Sequence, residues 1–597
     1  MAATTFKFRT HPADFEVLNS AMRTITLEMG ITMERTSRSP IYFAAHDFST
    51  AIFDKGGGLV ALTEYIPIHI CAAPFAIRAV LQYFKDDVKP GDMMLVNDPY
   101  TLDGGNHLAD WTILLPIFYK GELVFWAVNR AHQQDVGGGA QGAYNPDAID
   151  VFAEGTRIPP IKIFEGGKLR RDVFDFVLAN VRFPEVQRGD LWSMIGSVRV
   201  GERRLIKLLD NYGTEKISDF LLDLYNYTES LMRDQIDQIP DGTYYGESST
   251  CGMPKSDEPG AVTVRCKLTV KGSNMIIDLS DSDPMVPAYI NSPISNTYSS
   301  VFIAIMTSVG RTVNYRTEGC LKPVEIRTKP GTVTHAVLPA THGNCTNFVA
   351  KNIIEAVWDA LAKVIPDKTP AGWGAINCWV ISGIDPRRNE GYGTPDFPAN
   401  ACGAGAIWGT DGWNTNAPQI CSGGLHYPEI EVCEITYPQF YLQWELATDS
   451  AGPGKWRGGV GVRNIWVSEA GQIRLFNQGE PCQGIPSPSI AGGKPPPPNL
   501  KKIIWANGVE EKRSREAYVI GKSDIVWDFS QGGCGVGNPL ERDVKLVQED
   551  VRNELVSIKS ARADYGVVID PKTLGVDQEQ TSKLREEMKK SRSKKET

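Results

Sequence analysis

The chain has 597 residues, more than one ordinary hydrophobic core holds, so two to four domains are expected. With 42% hydrophobic and 22% charged residues it has the composition of a soluble globular protein, and a formal net charge of -9 leaves no basic footprint for nucleic acid. No apolar run approaches the ~18 residues needed to cross a bilayer, and Met1–Arg9 lacks the apolar stretch of a signal peptide, so a cytoplasmic protein without membrane attachment is expected.

In chain order, Phe15, Leu18, Met22, Ile25 and Met29 recur in steps of three and four and predict a helix over 13–35. The run Ile41–Phe53, the glycines 56–58 and Leu59–Leu62 read as a hairpin with Asp47 inside its first strand. A carboxylate among apolar neighbours there is either a metal ligand or a hydrogen-bonded structural acid. Residues 74–84 are expected to be helical. A second hairpin runs from Trp111–Phe118 through a turn at 119–122 to Leu123–Asn129. Residues 190–239 have helical spacing and end at the turn Pro240-Asp241-Gly242, a candidate domain boundary. Strands follow over 242–283, where Asp278, Asp281 and Asp283 read as a solvated acidic turn rather than a calcium loop. Helices are expected over 295–310 and 346–365, and a β-rich region from Gly372. The fold class is therefore α+β and multidomain: a hairpin-rich mixed N-terminal domain (1–240), a middle domain (241–370) and a β-rich C-terminal domain (371–575) with flanking helices. That last domain carries a Pro-rich loop at 484–498, and a charged tail at 576–597 follows it.

Chemistry concentrates between Asn97 and Gly139. Two His-x-x-Asp pairs, His107/Asp110 and His132/Asp135, bracket the second hairpin, and folding at Lys120-Gly121 places Asp110 nearly opposite Ala131. Both pairs then reach one open end of the hairpin, with Asp98 and Asp47 available nearby. Mixed imidazole and carboxylate donors suit Zn²⁺, Mn²⁺ or Fe²⁺. The alternative is a buried polar network in which each Asp orients its His. Eleven cysteines with no C-x-x-C argue against a disulfide framework or a zinc ribbon. No G-x-x-x-x-G-K-[ST], H-E-x-x-H or G-x-S-x-G occurs. The glycine-dense loop 532–537 is either an anion cradle or a structural turn.

Several motifs carry a resemblance: N-D-P-Y…G-G-x-H-x-x-D at 97–110, N-R-A-H-x-x-D-x-G-G at 129–138 and E-G-x-R-I-P-P at 154–160. L-A-N-V-R at 178–182, D-S-x-G-x-G-x-W-R-G-G at 449–459 and D-Y-G-V-V-I at 564–569 complete the set. Together they resemble the hydantoinase B/oxoprolinase family over nearly the whole chain. The resemblance implies an ATP-dependent enzyme subunit working in a hetero-oligomer with a hydantoinase A-like, ATP-binding partner, alone or with further small subunits. It implies a divalent metal held by Asp47, His107, Asp110 and His132, with His132, Gln133 and Asp135 forming the catalytic element and Asp135 supporting the ligands or adding to them. Many hydantoinase-type members have a second His where this chain has Gln133, and aromatic residues (Tyr100, Trp111, Trp126, Tyr144, Trp373, Trp379, Trp408, Trp413) are plentiful. That departure favours carboxylation of an aryl or alkyl ketone such as acetophenone with bicarbonate and ATP. Hydrolysis of a cyclic amide by a hydantoinase, 5-oxoprolinase or lactamase is the alternative.

Overall fold

Helix α1 (Pro12–Thr36) begins with a proline where the backbone N–H would have no partner, capped by the His11 ring, which accepts the Ala13 N–H at 3.3 Å. Its expected apolar stripe is buried in full and runs one turn further, to Met33. The structure is a computed structural model, and it describes residues 6–63, 65–251, 261–479, 485–512 and 517–593. Helices alternate with several separate sheets, so the α+β, multidomain reading holds. The chain divides into two compact units, one of Met1–Glu247, Thr263–Ala360 and Ile420–Pro428, the other of Ser248–Val262, Leu361–Gln419 and Glu429–Thr597.

The first unit is built on a seven-stranded antiparallel sheet: β1 (Phe48–Asp54), β2 (Leu59–Thr63), β3 (Met93–Val96), β4 (Asp110–Tyr119), β5 (Glu122–His132), β6 (Ile161–Glu165) and β7 (Lys168–Leu169), ordered β2-β1-β5-β4-β3-β6-β7. The β4–β5 hairpin turns on Lys120 (φ 52°) and Gly121 (φ 89°), two left-handed residues in sequence, as a two-residue hairpin loop requires. One face packs Phe53, Met94, Leu114, Trp126 and Val128 against Ile77 and Val80 of helix α2 (Ala73–Phe84). Each such side chain contributes on the order of 1.5–3 kcal/mol on burial. Helix α3 (Pro184–Ile236) begins six residues earlier than its spacing suggests and is broken at Gly213, where φ is 75° and ψ 162°.

One expectation at the sheet's edge needs correcting. Asp47 is not inside a strand. Pro40 follows the extended Ser39 at a helix first position, so Pro40–Phe43 coils into a single turn, and β1 starts only at Phe48. An apolar run does not distinguish a short helix from a strand, and the proline decides it here.

Beyond Pro240-Asp241-Gly242, Ala261–Lys271 pairs antiparallel with Asn274–Asp278, which pairs parallel with Val324–Arg327. The acidic turn is structural: Asp283 accepts the Thr263 N–H at 2.8 Å and Arg265 Nη1 at 2.6 Å. Helices follow at Ile294–Met306 and Val349–Ala362. The second unit contains two sheets around Trp379, Trp466, Ile473, Leu475, Ile503 and Val526. Its loop at 532–537 is packed on backbone, since a Cβ at Gly533 would fall 2.0 Å from the Ala404 carbonyl oxygen, which accounts for glycine there without an anion. The Pro-rich stretch falls within the described residues from 485 onward, and the charged tail is helical over Gln578–Ser593. Among the described residues, no helix is long and apolar enough to cross a membrane.

Candidate metal centre

The ends of three adjacent strands deliver the site. In the β4–β5 ladder Asp110 stands directly opposite His132, one residue deeper than the turn alone suggested, and Trp111 stands opposite Ala131. On the other side of β5, Phe48 pairs with Ala131, and the carbonyl of Asp47 accepts the His132 N–H at 3.1 Å. The turn that precedes β4 adds His107, whose carbonyl accepts the Asp110 N–H at 3.0 Å. His107, Asp110 and His132 each offer one donor atom, and these atoms lie within 4.8 Å of one another. All three residues are buried.

One carboxylate oxygen is the focus. Asp110 Oδ1 lies 2.8 Å from His107 Nε2, 3.4 Å from His132 Nδ1 and 3.5 Å from His69 Nε2, and that His69 nitrogen is also 3.5 Å from Asp47 Oδ1. Burial drives the Asp110 carboxyl up, but the surrounding imidazoles outweigh it and hold the group well below the usual carboxylate range. The Asp47 carboxyl is pushed up to about 6, chiefly by burial. Burial likewise brings the His69 imidazole down to about 4, which leaves it a neutral ring with a free lone pair near pH 7.

The donor set fits a divalent cation. His107 Nδ1 lies 3.0 Å from the Gly343 carbonyl, so that nitrogen carries the proton and Nε2 presents its lone pair to Asp110. A lone pair and a carboxylate oxygen 2.8 Å apart repel unless a cation, either a proton or a metal ion, lies between them. Two imidazoles and a carboxylate are the ligand type that Zn²⁺, Mn²⁺ and Fe²⁺ share.

Surrounding groups fix these donors. Buried Arg130 donates from Nε to Thr112 Oγ1 at 2.6 Å, from Nη1 to the His69 carbonyl at 3.1 Å and from Nη2 to the Gly104 carbonyl at 3.3 Å. It thereby ties the His69 turn and the loop before His107 to the sheet. Ser299 Oγ donates to the Ile68 carbonyl at 2.8 Å and secures the same turn from the helix Ile294–Met306. Glu154 accepts the N–H groups of His342 and Gly343 at 3.0 and 2.7 Å, which sets the peptide whose carbonyl orients His107. Burial pushes the Glu154 carboxyl up to about 8.

The structure brings four of the expected residues together (Asp47, His107, Asp110 and His132) and sends three elsewhere. Asp135 faces Arg182, accepting its backbone N–H at 2.6 Å and Nη1 at 2.5 Å, while Arg182 also binds the carbonyls of Gly137 and Gly138. The glycines at 137 and 138, with φ of 79° and 71°, serve that turn. Gln133 donates from Nε2 to the Tyr42 hydroxyl and to the Ala131 carbonyl, while its Oε1 is buried without a hydrogen-bond partner among the described residues. Asp98 holds Arg157 at 2.7 Å and caps Tyr100 and Thr101. Among the aromatic residues, the Tyr144 ring stacks on His132 (centroids 5.5 Å, 22°), whereas Trp111, Trp126 and Trp379 are buried core and Trp408 and Trp413 are exposed. His69 and His342 were not singled out. His69 lies in the apolar run Ile66–Ile70, where a histidine reads as packing. His342 lies in Thr341-His342-Gly343-Asn344-Cys345, whose polar and small residues around a histidine were the one available signal.

The antiparallel sheet thus gathers two histidines and an aspartate at the end of one hairpin, a donor set that could hold a metal ion. The chain belongs to the hydantoinase B/oxoprolinase family, whose model matches residues 11–539. It is 36% identical to the caprolactamase subunit beta of Pseudomonas jessenii over 94% of this chain and 96% of that one. The solved ATP-dependent caprolactamase from the same organism superposes with a TM-score of 0.88 at 34% identity, over 97% of this chain and 100% of that chain. The acetophenone carboxylase delta subunit of Aromatoleum aromaticum is 26% identical over 96% of this chain and 88% of its own length. A nucleotide-free acetone carboxylase structure shares the fold, with a TM-score of 0.91 at 20% identity over 99% of this chain and 85% of that one.

Proposed function

We propose that this chain is the metal-binding subunit of an ATP-dependent complex that opens a cyclic amide, assembled with an ATP-binding partner subunit of the hydantoinase A type. The observation that carries the reading is the convergence of His107 Nε2, Asp110 Oδ1 and His132 Nδ1 in a chain similar along its length to a caprolactamase subunit. Those three donors, with Asp47 beside them, would hold Zn²⁺, Mn²⁺ or Fe²⁺, and the ion supplies Lewis acidity at an oxygen of the substrate. The protein does the rest. Gly343 and Glu154 hold the His107 tautomer and Arg130 fixes the strand end, while one water adds across the amide C–N bond, its hydroxyl to the carbonyl carbon and its proton to the ring nitrogen. Neutral His69, with Nε2 3.5 Å from both carboxylates, orients Asp47 and Asp110. ATP use is assigned to the partner, as the family resemblance implies.

Ketone carboxylation is the second reading, favoured by the Tyr144 ring over His132, against which an aryl ketone would pack, and by the similarity to the acetophenone carboxylase subunit. Gln133 bears on neither reading through its Nε2, which is bonded within the fold. The complex, purified with its partner and supplied with ATP, is tested on lactams of five to seven ring atoms and, separately, on acetophenone with labelled bicarbonate. Ring opening coupled to ADP release supports the first reading. Label fixed only with the ketone replaces it with the second.

A further inference from the structure

Three segments meet around His107, and each brings in a buried polar atom that the fold does not use. His107 is bonded to Gly343 through Nδ1. The Ala143 carbonyl packs so closely on Gly343 that a Cβ there would lie 2.1 Å from it. A Cβ on Gly142 would lie 3.7 Å from His132 Nε2, and Tyr144 stacks on the same ring. Gly142 and Ala143 are both left-handed, each with φ of 65°, and for alanine that conformation is costly. In these segments Asn106 Oδ1, Thr341 Oγ1, His342 Nε2 and both amide atoms of Gln141 lack a hydrogen-bond partner among the described residues. Every one of these side chains is buried, Gln141 at 3% exposure and the others at 0%. Among the buried side chains described, Gln141 is distinctive in that its nitrogen and its oxygen are both unpaired.

Burying one such atom without a partner costs about 1–3 kcal/mol, so several in the segments that meet around His107 indicate a site built for a polar guest. The loop that carries Gln141 is also held in a strained conformation directly beside the metal donors. A carboxamide with both ends free matches a planar group that shows one donor and one acceptor side by side. Two small molecules offer that edge: the cis N–H/C=O of a cyclic amide, and the HO–C=O of bicarbonate. An amide whose oxygen has been substituted still offers its ring nitrogen as acceptor to Gln141 Nε2–H.

We propose that Gln141, which directly precedes the Gly142 that abuts His132, is the specificity-determining residue that binds this donor–acceptor edge of the substrate. On the function proposed above, the edge is that of a lactam. Because the inference rests on that reading, its test keeps the two apart. The complete complex with ATP is compared as wild type, Gln141→Met and Gln141→Leu on a six-membered lactam, on its N-methyl derivative and on labelled bicarbonate with acetophenone.

The wild type should open the N–H lactam in preference to the N-methyl one. Gln141→Met should lower kcat/KM for the N–H lactam about 10- to 100-fold, mostly through KM, and abolish the preference, the loss expected for two neutral hydrogen bonds. Metal content and unfolding midpoint should stay unchanged, and Gln141→Leu should repeat the result if the methionine variant folds poorly. A variant that keeps the preference, loses both lactams equally or loses its metal overturns the role of Gln141 while leaving the lactam reading intact. A wild type that opens no lactam but fixes bicarbonate overturns the lactam reading. The role of Gln141 then stands if Gln141→Met raises the KM for bicarbonate and falls if it does not. A wild type that does neither overturns both.

Discussion

Two buried clusters of charged residues invite comparison, one in each unit. In the second unit Arg542 uses all five of its N–H groups: Nη1 and Nη2 bind the two oxygens of Asp411 at 2.7 Å each, Nε and Nη2 bind Asp550 at 3.1 and 2.8 Å, and Nη1 reaches the Lys455 carbonyl at 3.2 Å. Arg457 adds a further contact to Asp550 at 3.3 Å. In the first unit, three imidazoles crowd one oxygen of Asp110 while His69 Nδ1, His342 Nε2 and the Gln141 amide stay unpaired. The first cluster is complete without any guest and the second is not. A buried polar group that the fold leaves unsatisfied is the better guide to function, because a purely structural network loses stability by leaving bonds unmade.

The comparison can be broken most sharply at His107. His107→Ala should reduce bound metal from near one equivalent to near zero and cut turnover at least ~10³-fold, while the unfolding midpoint of the metal-free protein changes little; metal analysis with steady-state assays decides this. Retained metal and activity would mean that the cluster is a closed network like its counterpart. Arg542→Met should do the reverse, costing about 3–5 kcal/mol in denaturant unfolding because Asp411 and Asp550 lose their shared cation, with metal binding intact in the folded fraction.

Asp135→Asn should cost less, about 1–2 kcal/mol through the loss of charge on the Arg182 contact, and should leave metal stoichiometry unchanged, which separates this residue from the ligands. A separate test concerns pH. Glu154 is raised from 4.5 to about 8 by burial, so the folded state retains a proton that the unfolded chain gives up. Its contribution to stability is complete below pH ~4.5 and is lost as pH rises towards 8. Glu154→Gln should therefore flatten the decline in stability across that window, as measured by denaturant midpoints at several pH values; an unchanged slope would assign the dependence to other groups.

Legibility in the sequence followed the range of the interactions. The α1 stripe, the β4–β5 hairpin and the pairing of His107 with Asp110 all depend on neighbours a few residues apart, and periodicity and turn residues report them. Asp47 was placed in the right neighbourhood but on the wrong element, because Pro40 converts an apolar run into a helical turn. Asp135 looked like its twin Asp110 in spacing, yet Arg182, 47 positions away, claims its carboxylate. Gln133 looked like a substrate signal, yet its amide nitrogen donates to Tyr42, 91 positions away.

By itself, the sequence determined the family, the α+β organisation and which short segments carry the metal-type donors, because motif spacing and hydrophobic period are local properties. Only the tertiary structure decided which of two identical His-x-x-Asp pairs contributes its aspartate, brought His69 to Asp110 across 41 positions and set Gly343 behind His107 across 236. Those choices rest on strand register and on contacts between distant segments, where a shift of one residue would turn each side chain to the opposite face.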